Sequence, residues 1–366
     1  MSAPFDPCLA RWCERIRAAA ADRRPLRLAG GGSKDFYGQA LAGERFDTRE
    51  YRGLVSYAPS ELVVSVRCGT PLAELETILA EKGQSLAFEP PHFGPQATVG
   101  GCVAAGLSGP RRARAGSVRD FVLGVKIVDG QGRLLNFGGQ VMKNVAGYDV
   151  SRLLAGSLGT LGVIAEVSLK VMPLAPSELT LGFELAAADA PNDALRRVNR
   201  WRGEALPISA SLALGQMLHV RLSGAATAVS AAARTLGGEA LANADAAALW
   251  RSVREQTHPF FAGDGALWRL GLPATAALAL PGAQLIEWCG AQRWQRAHTA
   301  AEGQTLRRLA ADAGGHATLF RAPLAQKAAV GAFAPLAEPL QHIHRRLKAA
   351  FDPSGVFNPG RLYPDF

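Results

Sequence analysis

The feature that most constrains this chain is a run of three glycines, Gly30-Gly31-Gly32, set directly after a short apolar strand at residues 25–29 and followed by Ser33 and Lys34. Consecutive glycines permit positive φ and leave successive backbone N–H groups pointing into one concavity, a geometry that binds anionic oxygen without side chains. No glycine precedes Lys34 at the spacing of a Walker loop, and the run does not read Gly-x-Gly-x-x-Gly at the head of a helix. Taken alone, it is equally compatible with a plain flexible turn. A second small-residue turn, Ala97-Thr98-Val99-Gly100-Gly101-Cys102-Val103-Ala104-Ala105-Gly106, follows about 70 residues later. Its missing side chains again let another group approach the backbone closely.

The elements around these turns are of mixed type. Leu9, Trp12, Cys13 and Ile16 fall at helical spacing within residues 8–24, and residues 62–66 form a β-branched strand. Thr70-Pro71 reads as the N-cap and first position of a helix that stops at Lys82-Gly83. Three prolines in residues 90–95 force a rigid loop around His92. Residues 121–128 and 133–137 flank Asp129-Gly130-Gln131-Gly132 as a hairpin, residues 150–154 read as helical, and residues 161–171 make a long strand. Composition shifts at Pro173 and Pro176. Beyond them, residues 177–325 alternate strands (178–184, 219–222, 267–272, 284–288) with alanine-rich helices. An amphipathic helix over residues 335–348 leads into a tail dense in turn residues.

With 366 residues, 48% of them hydrophobic, the chain can build two domains more naturally than one. The net charge of +9 is compatible with an anionic cofactor or substrate. The basic residues are scattered, however, with no basic tail and no aromatic-interleaved basic stretch, so nucleic-acid binding is not expected. Five scattered cysteines without a Cys-x-x-Cys pair argue against a zinc site or an iron–sulfur cluster in this chain and fit a reducing cytoplasm. The first residues do not read as a secretory signal, and no apolar run is long enough to span a bilayer, so membrane contact is expected only indirectly, through partners.

The order of the motifs carries more than any one of them. The two glycine turns, Ser117-Val118-Arg119-Asp120, the hairpin, Gly147-Tyr148-Asp149 and Gly156-Ser157-Leu158-Gly159-Thr160-Leu161-Gly162-Val163-Ile164 resemble, over residues 25–172, the FAD-binding domain of the vanillyl-alcohol oxidase and p-cresol methylhydroxylase (PCMH) family. Phe351-Asp352-Pro353 and Asn358-Pro359-Gly360 resemble the closing segment of its FAD-linked oxidases. Within that family, Phe88-Glu89-Pro90-Pro91-His92-Phe93-Gly94-Pro95, Leu107-Ser108-Gly109-Pro110-Arg111-Arg112 and Ile286-Glu287-Trp288 are similar to segments of the FAD-binding subunits of glycolate-oxidising complexes. The resemblance implies an α+β fold: a two-part PCMH-type FAD-binding domain over residues 1–174, an inserted α+β cap over 175–330, and a C-terminal helix and tail over 331–366 returning to the first domain.

It also implies roles. Gly30, Gly31, Gly32, Ser33 and Lys34 would hold the FAD diphosphate, with Thr98, Gly100 and Gly101 across from them. Gly162, Val163 and Ile164 would meet the adenine or flavin edge, Pro90 would wall the isoalloxazine, and Asn358 would close the site. Gly109 and Arg111 join the cofactor contacts, and Lys143 and Asp149 would order a nearby loop. Ser33 and Lys34 stand where covalently flavinylated members carry a histidine, and Cys102 follows the second glycine pair instead of preceding it, so the FAD is expected to be non-covalent.

Catalytic members acting on 2-hydroxy acids carry His-x-Gly-Asp-Gly-Asn-x-His in the cap; this chain has Phe260-Phe261-Ala262-Gly263-Asp264-Gly265 with neither histidine, and no metal site is expected. The implied partners are a catalytic sister flavoprotein subunit bearing that stretch and an iron–sulfur subunit, with a small 2-hydroxy acid, glycolate, oxidised to glyoxylate by the assembly. The candidate catalytic groups here are His92 as base, or else a hydrogen-bonded loop histidine; Arg111 and Arg114 as carboxylate grips, or else a solvated cluster; and Arg269 and Glu287 facing the flavin, or else a structural ion pair. Three readings compete with a catalysing subunit: a subunit whose FAD is structural or only relays electrons, an independent FAD oxidase of another alcohol or hydroxy acid, and a nucleotide-binding protein without flavin.

Overall fold

The helix Pro7–Ala21 opens the described chain with Asp6 as its cap, the carboxylate accepting the Cys8 N–H at 2.9 Å, and with Pro7 at its first position. Its apolar residues recur at helical spacing and bury Leu9, Trp12, Cys13, Ile16 and Ala19. Full burial of a side chain such as Ile16 contributes about 2 kcal/mol. The computed structural model describes residues 6–139, 148–186, 189–277, 280 and 282–366.

Two sheets organise these residues. The first has five antiparallel strands in the order Leu54–Ala58, Val63–Arg67, Val163–Lys170, Val122–Val128, Leu134–Gly138. Beside it a parallel pair, Leu26–Ala29 with Glu44–Asp47, delivers the glycine run at its C-terminal end. The second sheet has eight antiparallel strands drawn from residues 177–321, in the order Glu239–Ala240, Ser177–Glu184, Met217–Gly224, Ile208–Leu214, Gln284–Glu287, Gln292–Ala297, Ala266–Gly271, His316–Arg321.

The two-residue period of a strand sorts this second sheet's side chains. Trp268, Leu270 and Leu319 turn to one face and pack with Leu306 and Ala310 of helix Ala300–Asp312. Leu181, Phe183 and Val220 pack with Val198 and Trp201 of helix Ala190–Arg202. The alternate residues Leu212, Leu267, Leu285, Trp294 and Phe320 turn to the opposite face, where they meet Tyr37, Ala105, Leu107 and Leu158 of the first unit. Arg269 lies two residues from Leu267 and Glu287 two from Leu285, so both share that inner face.

Two local expectations are corrected. Residues 99–105 form a helix, Val99–Ala105, instead of an open turn, because Thr98 caps it: its Oγ1 accepts the Gly101 N–H at 3.2 Å. Thr70 does not cap the next upstream helix, which is Leu72–Ala80 with Pro71 at the cap position. Its hydroxyl is engaged instead with Arg67 O at 2.8 Å and Gly53 N at 2.9 Å.

The chain's last segment comes back to its first strand. Leu26 bridges Phe357 in parallel, the Leu28 N–H donates to Asn358 Oδ1 at 2.8 Å, and Asn358 Nδ2 donates to Leu158 O at 2.6 Å. The segment is pinned by Lys348, whose ammonium donates to Thr160 O, Phe357 O and Asp352 Oδ2, each at 2.8 Å.

Candidate functional site: a glycine-lined cleft under the cap

The two glycine segments are pressed together. A Cβ on Gly30 would lie 2.3 Å from Thr98 Oγ1, one on Gly31 1.5 Å from Gln96 O, and one on Gly100 2.6 Å from Cys68 Cβ. Gly32 has φ +73°. Glycine is thus required at these positions for loop-on-loop contact or for backbone conformation, which the bare sequence motif does not distinguish.

The resulting cleft has two connected parts that share Gly30, Gly101, Ala104, Leu158 and Asn358 as walls. One part adds Gly31, Gly32, Ser33, Lys34, Thr98 and Arg361, and the other adds Gly100, Gly162, Val163 and Ile164. Most of the expected cofactor residues therefore line one continuous surface. Pro90 lines no part of it, Gly109 lies at a separate small cavity, and Asp149 is exposed, holding Ser151 and Arg152. Lys143 and Gly147 lie outside the described residues.

The two loops contribute differently. The backbone N–H groups of Gly31, Gly32, Ser33 and Lys34 have no acceptor among the described residues. Four successive amides of the second segment are engaged, Val99 N with Thr70 O, Gly100 N with Cys68 O, Gly101 N with Thr98 Oγ1 and Cys102 N with Thr98 O, while the Thr98 N–H has no acceptor among the described residues. Four successive unclaimed donors are what an anion nest requires, while most amides of the second segment are already spent. Lys34 adds positive charge at the edge, its Nζ donating to His92 O at 3.1 Å and to Ser33 Oγ at 3.3 Å. Burial lowers its pKa below the ordinary lysine value. Arg361, which sequence reasoning passed over, clamps the loop from the tail through Gln39 O, Lys34 O and Asp35 O. Its only sequence signal was the turn-rich segment that carries it.

These residues fit the diphosphate and adenosine of FAD, with donors for phosphate oxygens and walls in which glycines stand beside Leu158, Val163 and Ile164. A model of a FAD-binding domain matches residues 11–138.

Between the cleft and the cap's inner face stands an aromatic cluster. Phe36 meets Phe93 and Phe320 edge-on at 5.5 and 5.4 Å, and Trp294 meets Phe320 at 4.9 Å. Arg321 stacks on Phe36 at 3.6 Å, and burial brings its pKa down to about 10. Only about 20 Å³ remains open there, lined by Phe93, Gly109, Arg269, Glu287 and Trp294 among others.

The candidate catalytic groups separate. His92 turns its Nε2 to Glu76 Oε2 at 3.0 Å and lines none of these cavities. Arg111 is committed to Glu89 and Glu178, and Arg114 is exposed. Arg269 and Glu287 come together at the small cavity, yet they form no ion pair with each other. Arg269 donates to the Tyr37 hydroxyl at 3.0 Å, while Glu287 accepts from Trp294 Nε1 at 2.7 Å and Gln292 Nε2 at 3.0 Å. The Gly263-Asp264-Gly265 turn is a structural stop, its carbonyls at 264 and 265 taking Arg296 at 3.2 and 2.9 Å.

Burial pushes the Glu287 carboxyl from 4.5 up to about 7, against the effect of its two donors. A folded-state pKa above the unfolded one means that the folded chain holds the extra proton between pH 4.5 and 7. The associated stability, at most about 3 kcal/mol, is present in full below that window and is lost as pH rises through it. Glu287→Gln is expected to flatten this part of the stability–pH profile. Urea midpoints at several pH values check it, and an unchanged slope in the variant would rule the assignment out.

Fold and cleft together define a FAD-binding flavoprotein of the vanillyl-alcohol oxidase and PCMH type, capped by an antiparallel sheet. A solved alkyldihydroxyacetonephosphate synthase has the same fold, with a TM-score of 0.66 at 16% identity over 95% of this chain and 73% of its own. The chain is 47% identical to glycolate oxidase subunit GlcE of Escherichia coli over 353 residues, 96% of each, and it belongs to that subunit's family. More distant likenesses are partial. Glycolate oxidase subunit GlcD of Bacillus subtilis is 36% identical over 108 residues, 29% of this chain and 23% of its own. A D-lactate dehydrogenase of Archaeoglobus fulgidus is 34% identical over 157 residues, 41% and 33% respectively.

Proposed function

We propose that this chain carries non-covalent FAD as one subunit of a multi-subunit glycolate oxidase that converts glycolate, a 2-hydroxy acid, to glyoxylate. The observation that carries the reading is the row of unclaimed amides at Gly31–Lys34 in a chain 47% identical to such a subunit along almost its whole length. When bound, FAD supplies two-electron redox chemistry. The chain's own residues bind and orient it: Gly30, Gly31, Gly32, Ser33 and Lys34 at the diphosphate, Thr98, Gly100 and Gly101 opposite, and Gly162, Val163, Ile164 and Asn358 along the remaining wall. Arg269 and Glu287 are the polar groups best placed to act on whatever meets the cap's inner face. His92 and Arg111 serve to fix the proline loop.

A sister flavoprotein subunit and an iron–sulfur subunit complete the assembly in this reading, with any contact to the cytoplasmic membrane made through them. No helix of the described residues is long and apolar enough to cross a membrane. The division of labour corresponds to a FAD domain through residue 174, a cap to 330 and a returning tail. A relay role without chemistry of its own is favoured over independent catalysis by the Phe260–Gly265 stretch, which lacks both histidines of the catalytic members.

Anaerobic addition of glycolate separates these cases. The purified FAD-loaded chain is expected to keep its flavin absorbance, and the chain assembled with its partners is expected to bleach. Bleaching of the isolated chain would overturn the dependence on partners. No bleaching in either preparation would overturn the glycolate reading.

A further inference from the structure

A second cavity, of about 490 Å³, lies in the cap and shares no residue with the glycine cleft. Its floor is the helix Asn243–Arg254, and its walls are the strands Ser177–Glu184 and Met217–Gly224 together with Glu89 of the proline loop. Helical spacing brings Asn243, Ala247, Arg251 and Arg254 to one face, and the small Ala246 and Ala247 leave the space open.

The charges of this cavity are unequally spent. Glu89 is neutralised by Arg221 at 2.8 Å and Arg111 at 3.4 Å, and Glu178 by Arg111. The exposed Arg251 guanidinium has no hydrogen bond or ion pair among the described residues, and neither does the Asn243 side-chain amide. Arg254 uses only Nε, on Glu255 Oε1 at 2.8 Å, which leaves its two terminal nitrogens free. The apolar part of the lining is Leu179 on the strand side and Ala246, Ala247 and Trp250 on the helix itself; Trp250 gives its indole N–H to Thr180 Oγ1 at 2.9 Å and carries the Arg221 guanidinium over its ring at 5.0 Å. Two guanidinium groups with spare donors beside Leu179, Ala246, Ala247 and Trp250 suit an anion with an apolar body. The volume falls in the range of ligand pockets, roughly 300–1,000 Å³, and far exceeds what a two-carbon acid fills.

We propose that this cavity binds an aromatic carboxylate, its carboxylate on Arg251 and Arg254 and its ring against Trp250 and Leu179. Occupancy is coupled to the flavin side of the protein. Glu255, which Arg254 holds, accepts the His92 and Phe93 N–H groups at 3.0 and 2.9 Å through its other oxygen. An anion that draws Arg254 away therefore loosens the loop bearing Phe93. The site stands whether or not the chain oxidises glycolate.

Calorimetric titration of the FAD-loaded full chain with phenylacetate tests the site, with phenylacetamide as the neutral counterpart. Saturable one-to-one binding of the acid is expected, weakened roughly tenfold or more by Arg251→Gln, the loss of one charge-assisted contact. Ala247→Phe, a filling substitution at an exposed position, is expected to abolish it. Retention of FAD absorbance by both variants verifies that they fold. Absence of binding, equal binding of the amide, or binding unchanged in both variants would each overturn the proposal.

Discussion

Gly31→Ala is expected to yield a folded chain that purifies without its yellow colour. The added Cβ would sit 1.5 Å from Gln96 O and 2.3 Å from the same carbonyl's carbon, a separation that no side-chain rotation relieves because both atoms are backbone. The loop must move by more than an ångström relative to the segment before Thr98. That movement turns the unclaimed amides of residues 31–34 away from a common centre, and hydrogen bonds to a charged acceptor are worth about 1.5–3 kcal/mol each. Losing two of them weakens FAD binding by at least about 100-fold. The five-stranded sheet and its core take no part in the clash, so far-ultraviolet circular dichroism should be unchanged. The absorbance ratio at the flavin band is the readout, and full retention of FAD by the variant would show that the nest is not what holds the diphosphate.

Lys348→Met should produce the largest loss of stability among single substitutions of the tail. Lys348 and Asp352 are both buried, the carboxylate completely. Removing the ammonium leaves Asp352 with only the Val356 and Phe357 N–H groups, at 3.1 and 2.8 Å, and strips the Thr160 and Phe357 carbonyls of a donor. An uncompensated buried charge of this kind costs about 3–5 kcal/mol. The double variant Lys348→Met/Asp352→Leu should recover part of that loss, since it removes the orphaned charge as well. Denaturant unfolding measures both, and a single-variant loss below about 1 kcal/mol would contradict the role assigned to the pair.

The cleft was largely legible in the sequence because backbone chemistry writes itself locally. A glycine run after a strand, a second run of small residues and an Asn-Pro-Gly tail each announce an unusual backbone, and Gly30–Lys34, Thr98, Gly100, Gly101, Gly162–Ile164 and Asn358 do converge. What sequence could not convey was the asymmetry between the loops, which depends on Thr98 capping its own helix and on Cys68 O and Thr70 O taking the adjacent amides. The cap was harder. Strands Ile208–Leu214, Gln292–Ala297 and His316–Arg321 escaped notice because their inner faces are packed against another layer, not water. Gln292, Arg293 and Gln295 are polar yet buried, which erases the apolar–polar alternation that betrays a half-exposed strand. Arg269 and Glu287, which the sequence reads as facing the flavin or else as an ion pair, share one small cavity without pairing: each has its own neutral partners, which only the register of the sheet decides.

The bond from Leu28 N to Asn358 Oδ1 spans 330 residues. Translation delivers about 5–20 residues per second, so the first strand waits roughly a quarter of a minute to a minute for the residue that seals the cleft beside it. The whole cap is synthesised in that interval. A ribosome that stalls within the cap therefore leaves a product whose Leu28 N–H has no Asn358 to accept it and whose cleft lacks one of its walls.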